Sequence, residues 1–296
     1  MSDGRALVRV GGVPEHFNLP WAELDDTGLP VRVDWRHMPG GTGDLCAALV
    51  RDELDIALVL TEGVVRHIRG GSDVRIVGTY VASPLQWGVH VSRHALFETM
   101  DSLRGARFAV SRFGSGSHLM ALLDARARGW REPAFVEVGD LQGGREALAA
   151  SRADAFMWEQ TMSLPFVRDL EWRRLSTFRC AWPAFLVAAS PRALPDCASW
   201  LPALLAAVDV RCNALRVDVA ATARRIHAAF GVPTADARAW IDSTTWACST
   251  RVDAAALIAA AQAWSSDVTL PISPASLVGG PAILDGGMPR TVRPSQ

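Results

Sequence analysis

Two short stretches, PGGTGD (39–44) and RFGSGSH (112–118), combine glycine with hydroxyl side chains, and each stands between a strand-like run and a helix-like one. The start of a helix leaves backbone N–H groups unpaired and carries a partial positive charge. Gly41, Gly114 and Gly116 let a ligand approach that backbone, and Thr42, Ser115 and Ser117 add hydroxyl donors. The chemistry suited to the pattern is anion binding. Simple N-capping explains either stretch taken singly; two of them in comparable places favour a site. Neither contains G-x-x-x-x-G-K-[ST] or G-x-G-x-x-G, so a nucleotide-cradling loop gains no support.

Other polar and aromatic groups gather where strands give way to loops. GVPEHFNLPW (12–21) carries Glu15, His16 and Asn18 between two prolines, a setting that offers ligand contacts or simply a surface turn. Of the 11 tryptophans, Trp87, Trp158 and Trp182 fall at strand–loop junctions, where a flat ring can stack on a ligand. Trp200, Trp240, Trp246 and Trp264 fall in a helical region and read as core. Glu159, beside Trp158, could accept a hydrogen bond from a ligand donor. Catalysis has weaker support. Ser117 and His118 are adjacent and so diverge on a helix, no G-x-S-x-G elbow occurs, and the remaining histidines lack metal-ligand spacing. No catalytic residue, metal or cofactor is expected.

The elements that must position these groups alternate over the first two-thirds of the chain. LVRVGG (7–12), VRVDWRHM (31–38), DIALVL (55–60), VRIVGTYV (74–81), LQWGVHVS (85–92), ARFAV (106–110), AFVEVG (134–139), DAFMWEQ (154–160), RRLSTF (173–178) and AWPAFLVAAS (181–190) read as strands. Helical spacing falls over 45–54, near 99–104, after Ser117 and over 143–153. From about Trp200 the pattern is helical, and beyond about Leu270 Pro and Gly predict irregular chain. The class is α/β with mostly parallel sheets and a helical C-terminal third. The order strand, small-residue loop, helix, then a strand ending in a Glu-bearing loop occurs twice, as expected of two lobes that share a cleft.

Bulk composition narrows the function. At 296 residues, 49% hydrophobic and 21% charged, the chain can bury a sizeable core. A net charge of -1 gives no reason to expect nucleic acid. There is no lysine; every basic residue other than histidine is arginine. The five cysteines are widely spaced, which predicts buried free thiols rather than a disulfide framework or zinc site. The N-terminal stretch shows no secretory signal and no run long enough to span a bilayer, so a cytoplasmic location is expected, or a periplasmic or extracellular one for a processed chain.

VGGVPEHFNLPW, PGGTGDLCAAL, ELDIALVLTEG, SPLQWGVHVS, RFAVSRFGSGSHLMA and DAFMWEQTM together resemble the type II periplasmic-binding-protein fold, and more narrowly the Ca3427-like group of substrate-binding-protein homologues, related to binding proteins for aliphatic sulfonates and thiamine-pyrimidine precursors. The resemblance covers about residues 7–190. It implies two α/β lobes, 5–84 with 190–296 and 89–181, joined by crossings near 83–90 and 180–188 and closing by a hinge on a small ligand. It also implies cleft-lining loops at Glu15–Asn18, Gly40–Thr42, Thr61–Gly63 (hence Thr61 and Glu62), Ser83–Trp87, Ser111–Ser117 and Trp158–Glu159. The expected function is binding of a small molecule with a sulfonate, carboxylate or phosphate end and a flat or apolar body. The alternative is an enzyme on the same scaffold, with His16 or Glu159 as acid–base group. The cysteine-rich iron motif of pyrimidine-synthesis enzymes with this fold is absent, and nothing in the sequence points to a permease partner.

Overall fold

The computed structural model describes residues 4–264 and 272–286. Its first stretch runs β1 (Ala6–Gly12), α1 (Leu19–Ala22), β2 (Val31–His37), α2 (Gly41–Val50), β3 (Ile56–Leu60), α3 (Thr61–Arg69) and β4 (Arg75–Val81). The second runs β5 (Gln86–Ser92), β6 (Arg107–Val110), α4 (Gly116–Ala127), β7 (Ala134–Glu137), α5 (Leu141–Ala149), β8 (Ala155–Glu159), α6 (Leu164–Arg168) and β9 (Trp172–Arg179). The remainder is β10 (Phe185–Ala189), α7 (Leu201–Ala214), α8 (Val219–Phe230), α9 (Thr234–Ser243), β11 (Trp246–Ser249), β12 (Arg251–Asp253), α10 (Ala254–Ala263) and β13 (Ile283–Asp285).

These strands form a six-stranded sheet, β11-β4-β10-β3-β1-β2, a five-stranded sheet, β7-β6-β8-β5-β9, and the small parallel pair β12-β13. In the first sheet β2, β1, β3 and β4 point one way, and β10 runs against its neighbours β3 and β4. In the second, β7, β6, β8 and β9 point one way and only β5 opposes them. β5 and β10, each reversed against both neighbours, begin just after the chain has passed from one sheet to the other, and β11 also runs against β4 at the sheet edge. Continuous burial of IALVL in β3 and FLVAA in β10 fits strands covered on both faces. The repeat foreseen in the sequence is a β-α-β-α-β unit used twice, with strand orders β2-β1-β3 and β7-β6-β8.

The two passages between sheets are tied together. The Ala184 N–H donates to the Ser83 carbonyl at 3.2 Å, and the Cys180 N–H to the Leu85 carbonyl at 3.2 Å. Ser83 Oγ accepts from the Thr245 N–H at 3.1 Å, so the C-terminal region braces the same crossing.

Three local expectations differ. Thr61–Gly63 is the first turn of α3 rather than a loop, because Val64, Val65 and Ile68 form a buried helical stripe. The helix near 99–104 is a 3₁₀ turn, Met100–Leu103, held by a reciprocal Thr99–Ser102 cap. Trp246–Ser249, read as part of the helical region, adds a strand to the edge of β4. The irregular tail expected beyond Leu270 contains β13 within 272–286; residues 265–271 and 287–296 lie outside the described residues. All five cysteines are free and buried. No helix among the described residues is long and apolar enough to cross a membrane.

Candidate functional site

The turns that leave the carboxyl ends of β1, β2, β3, β6, β7 and β8 all border one cavity of about 870 Å³, lined from both sheets. Open α/β sheets place ligands at such strand ends, and the volume lies in the range of small-molecule sites, roughly 300–1,000 Å³. The first turns of α2 and α4 both face it, as do Asp140 and Leu141 at the start of α5.

The hydroxyls of the two glycine-rich loops shape those loops. Thr42 Oγ1 accepts from the Leu60 N–H at 3.0 Å, and Ser117 Oγ accepts from the Ser111 N–H at 3.0 Å. Ser115 caps α4 through the His118 N–H at 3.4 Å and lies 3.0 Å from Ser117 Oγ. Thr42 and Ser117 serve as acceptors in these backbone bonds, and each keeps an O–H to donate. The Gly114 N–H donates to His118 Nδ1 at 3.0 Å, while burial lowers the pKa of that imidazole.

Two arginines bring positive charge to the same loops, each against the loop of the opposite sheet. Arg66, on α3, lies over the Trp264 ring with its guanidinium carbon 4.5 Å from the centroid, and it packs against Gly114. A Cβ at position 114 would collide with that guanidinium, and φ of +83° there also calls for glycine. Arg112, beside Gly114, reaches back to α2, where a Cβ at Gly43 would sit 2.8 Å from its Nη2. Both arginines line the cavity, and neither has a hydrogen-bond or ion-pair partner among the described residues.

Two carboxyls line it as well. Glu159 ends β8, is 6% exposed, and accepts from the Met162 N–H at 2.7 Å. Burial pushes its pKa up to about 7, against the opposing effect of hydrogen bonds from Thr161 and Met162 and the charge of Arg174. Glu15, beyond β1, has no side-chain partner among the described residues; burial, and then the nearby Glu159, raise it to about 8. The wall also holds apolar groups: Leu85, Trp87, Trp158, Met162 and Phe166. The Trp87 ring edge packs where a Cβ at Gly116 would stand, which fixes the ring beside the start of α4.

Of the residues expected at the site, Glu15, Gly41, Thr42, Trp87, Ser111, Gly114, Ser115, Gly116, Ser117, Trp158 and Glu159 line the cavity. Six do not. His16 is fully buried, edge-on to Trp240 at 4.4 Å, with neither ring nitrogen hydrogen-bonded among the described residues, and burial drives its pKa down to about 3. Asn18 folds its amide back to the Val13 carbonyl at 2.8 Å. Thr61 Oγ1 donates to the Pro183 carbonyl at 2.6 Å. Glu62 and Trp182 bond each other, Nε1 to Oε2 at 2.8 Å, inside the protein. Ser83 belongs to the crossing. Arg66, Met162, Phe166 and the Gly139–Gln142 turn are lining residues that pattern reading passed over, and Arg112 lies in the expected Ser111–Ser117 loop without having been singled out. The amphipathic run of α3 was the signal for Arg66, and the repeated unit was the signal for 139–142.

Residues 87–177 match the family described as Ca3427-like PBP. The conserved Candida albicans CA3427 gene product, described as having the generic periplasmic binding protein fold, superposes with a TM-score of 0.84 at 23% identity, over 95% of this chain and 98% of that one. The chain has the periplasmic-binding-protein fold. The alkanesulfonate-binding protein SsuA from Xanthomonas axonopodis pv. citri, bound to MOPS, has the same fold, with a TM-score of 0.74 at 19% identity over 87% of this chain and 90% of that one. The periplasmic aliphatic sulphonate binding protein SsuA from Escherichia coli gives 0.74 at 17% identity over 98% and 97%. No curated protein matches in sequence.

Proposed function

We propose that this protein binds a small anionic molecule between two lobes, 5–84 with 190–296 and 89–181, which close about the paired crossings. The observation that carries the reading is the pair of guanidiniums without a hydrogen-bond or ion-pair partner among the described residues, Arg66 and Arg112, each lying against the glycine loop of the opposite sheet at a helix start. A guanidinium fork and free helix N–H groups suit a sulfonate, carboxylate or phosphate. The sulfonate-binding neighbours support sulfonates within that class. Trp87, Trp158 and Phe166 would cover an apolar or flat body. Because an anion touching both arginines bridges the lobes, it favours the closed arrangement by the difference in its affinity for the two states.

Titration calorimetry with alkanesulfonates, carboxylates and phosphate esters tests the reading. Arg66→Ala with Arg112→Ala should abolish measurable binding, and Thr42→Val with Ser115→Ala and Ser117→Ala should weaken it. Affinity unchanged in both variants would sink the assignment. A second reading, an enzyme on this scaffold, is favoured by the near-neutral Glu15 and Glu159, which could move a proton at pH 7. Mass spectrometry of a bound compound before and after long incubation separates the two: a new product means turnover.

A further inference from the structure

The reading above leaves Glu15 and Glu159 without a task, since carboxyls oppose an anion. Both line the cavity and lie close enough to interact with each other. Neither forms an ion pair with an arginine of the cavity among the described residues. The charge of Arg174 on β9 acts on Glu159; Arg174 borders a second, small cavity of about 280 Å³ that Glu159 also lines, and it forms no ion pair with Glu159 among the described residues. His16, the neighbour of Glu15, is sealed among aromatic rings. The cavity thus carries two guanidiniums and two carboxyls with no ion pair between the two sets among the described residues, and apolar groups on the same wall. Unpaired cations stand at the starts of α2 and α4, and two acids stand at the ends of β1 and β8.

Resting on the anion-site reading, we infer that the ligand is a zwitterion, with its anionic group at Arg66 and Arg112 and an ammonium or amidinium group at Glu15 and Glu159. The wall of Trp87, Trp158 and Met162 would enclose the linking carbons. A cationic group requires ionised carboxylates, so its arrival displaces protons from the pair. An ammonium hydrogen-bonded to a sheltered carboxylate adds about 10- to 100-fold in affinity.

The test compares ω-aminoalkanesulfonates of two to six carbons with the unsubstituted alkanesulfonates of the same length by calorimetry, in two buffers of different ionisation enthalpy. The amino compound of the best length should bind at least tenfold tighter than its parent and release protons. In Glu15→Gln combined with Glu159→Gln the ratio of the two affinities should collapse toward one. A parent that binds wild type as tightly as its amino analogue, with no proton release, overturns the zwitterion and leaves the anion site standing. Loss of binding by both compounds in the arginine variant, with the amino preference intact in wild type, supports both readings. No binding of either compound to wild type overturns both.

Discussion

Glu62 offers a test of the electrostatics inside this fold that is separate from any ligand. It sits in the first turn of α3, 2% exposed, with Oε2 accepting from Trp182 Nε1 at 2.8 Å and Oε1 buried without a hydrogen-bond partner among the described residues. Burial raises its pKa from 4.5 to about 7. Between these two values the folded chain holds a proton that the unfolded chain has released. Stability therefore falls as pH rises through that window, and the loss is complete once the folded carboxyl also ionises. A window of 7 minus 4.5, at 1.36 kcal/mol per unit, is worth ~3 kcal/mol. Glu62→Gln keeps an acceptor for Trp182 and never ionises. Any fixed cost of the amide is the same at every pH, and the other titrating groups cancel in the difference between the two proteins. Relative to wild type, the variant should gain ~3 kcal/mol between pH 4.5 and pH 8.5, or about 5 °C in melting temperature for a chain of this length. Thermal melts of both proteins across that range measure it. Melting curves that shift in parallel, with a constant difference from pH 4.5 to 8.5, would refute the argument that burial controls this carboxyl.

The remaining predictions concern neighbouring features. Trp182→Phe removes the indole donor and leaves the Glu62 carboxylate buried and unpaired; urea denaturation should show a loss of ~1–3 kcal/mol, larger at pH 8 than at pH 5. Gly114→Ala places a Cβ into the Arg66 guanidinium at a φ of +83°, so stability should fall by ~1–2 kcal/mol and anion affinity with it, measured by denaturation and calorimetry. His16→Phe should leave ligand affinity within about twofold, because the ring does not reach the cavity. The folded His16 stays neutral down to about pH 3 while the unfolded one charges below 6.5, so the wild type loses stability as pH falls through that window, and the variant's acid limb should be flatter in melts between pH 6.5 and 4.

Much of the framework was legible because strand signals here are short apolar runs bounded by glycine, and those fix element order. IALVL and FLVAA could be only buried strands once their lengths were weighed against a helix. Contacts between sheets were not legible. His16 and Asn18 sit in a loop that reads as exposed, yet Trp240 from α9, 224 positions further along the chain, and Phe17 next door pack over His16. Trp182 looked free to stack on a ligand, but its indole N–H finds Glu62, itself hidden because α3 was not recognised as a helix. The same omission concealed Arg66, whose position on α3 is what carries it over to Gly114.

The repeated unit explains why the loudest sequence signal was only half of the site. By element order PGGTGD, before α2, corresponds to the Gly139–Gln142 turn before α5, while RFGSGSH, before α4, corresponds to the Val13–Glu15 turn after β1. The two glycine-and-hydroxyl loops are therefore not equivalent members of the pair of repeats. They meet because each repeat contributes a different turn to the same end of the cavity, where Arg112 can bridge from one loop to the other. Their glycines are accounted for by that close approach and their hydroxyls by the backbone groups they bind. The turn that corresponds to RFGSGSH carries Glu15, and the two members of that equivalent pair differ in charge: Arg112 in one, a carboxyl in the other. Duplication alone would give matched turns of like charge; this exchange of sign between them is what lets one cavity hold both a guanidinium and a carboxyl, and the proposed zwitterion rests on it.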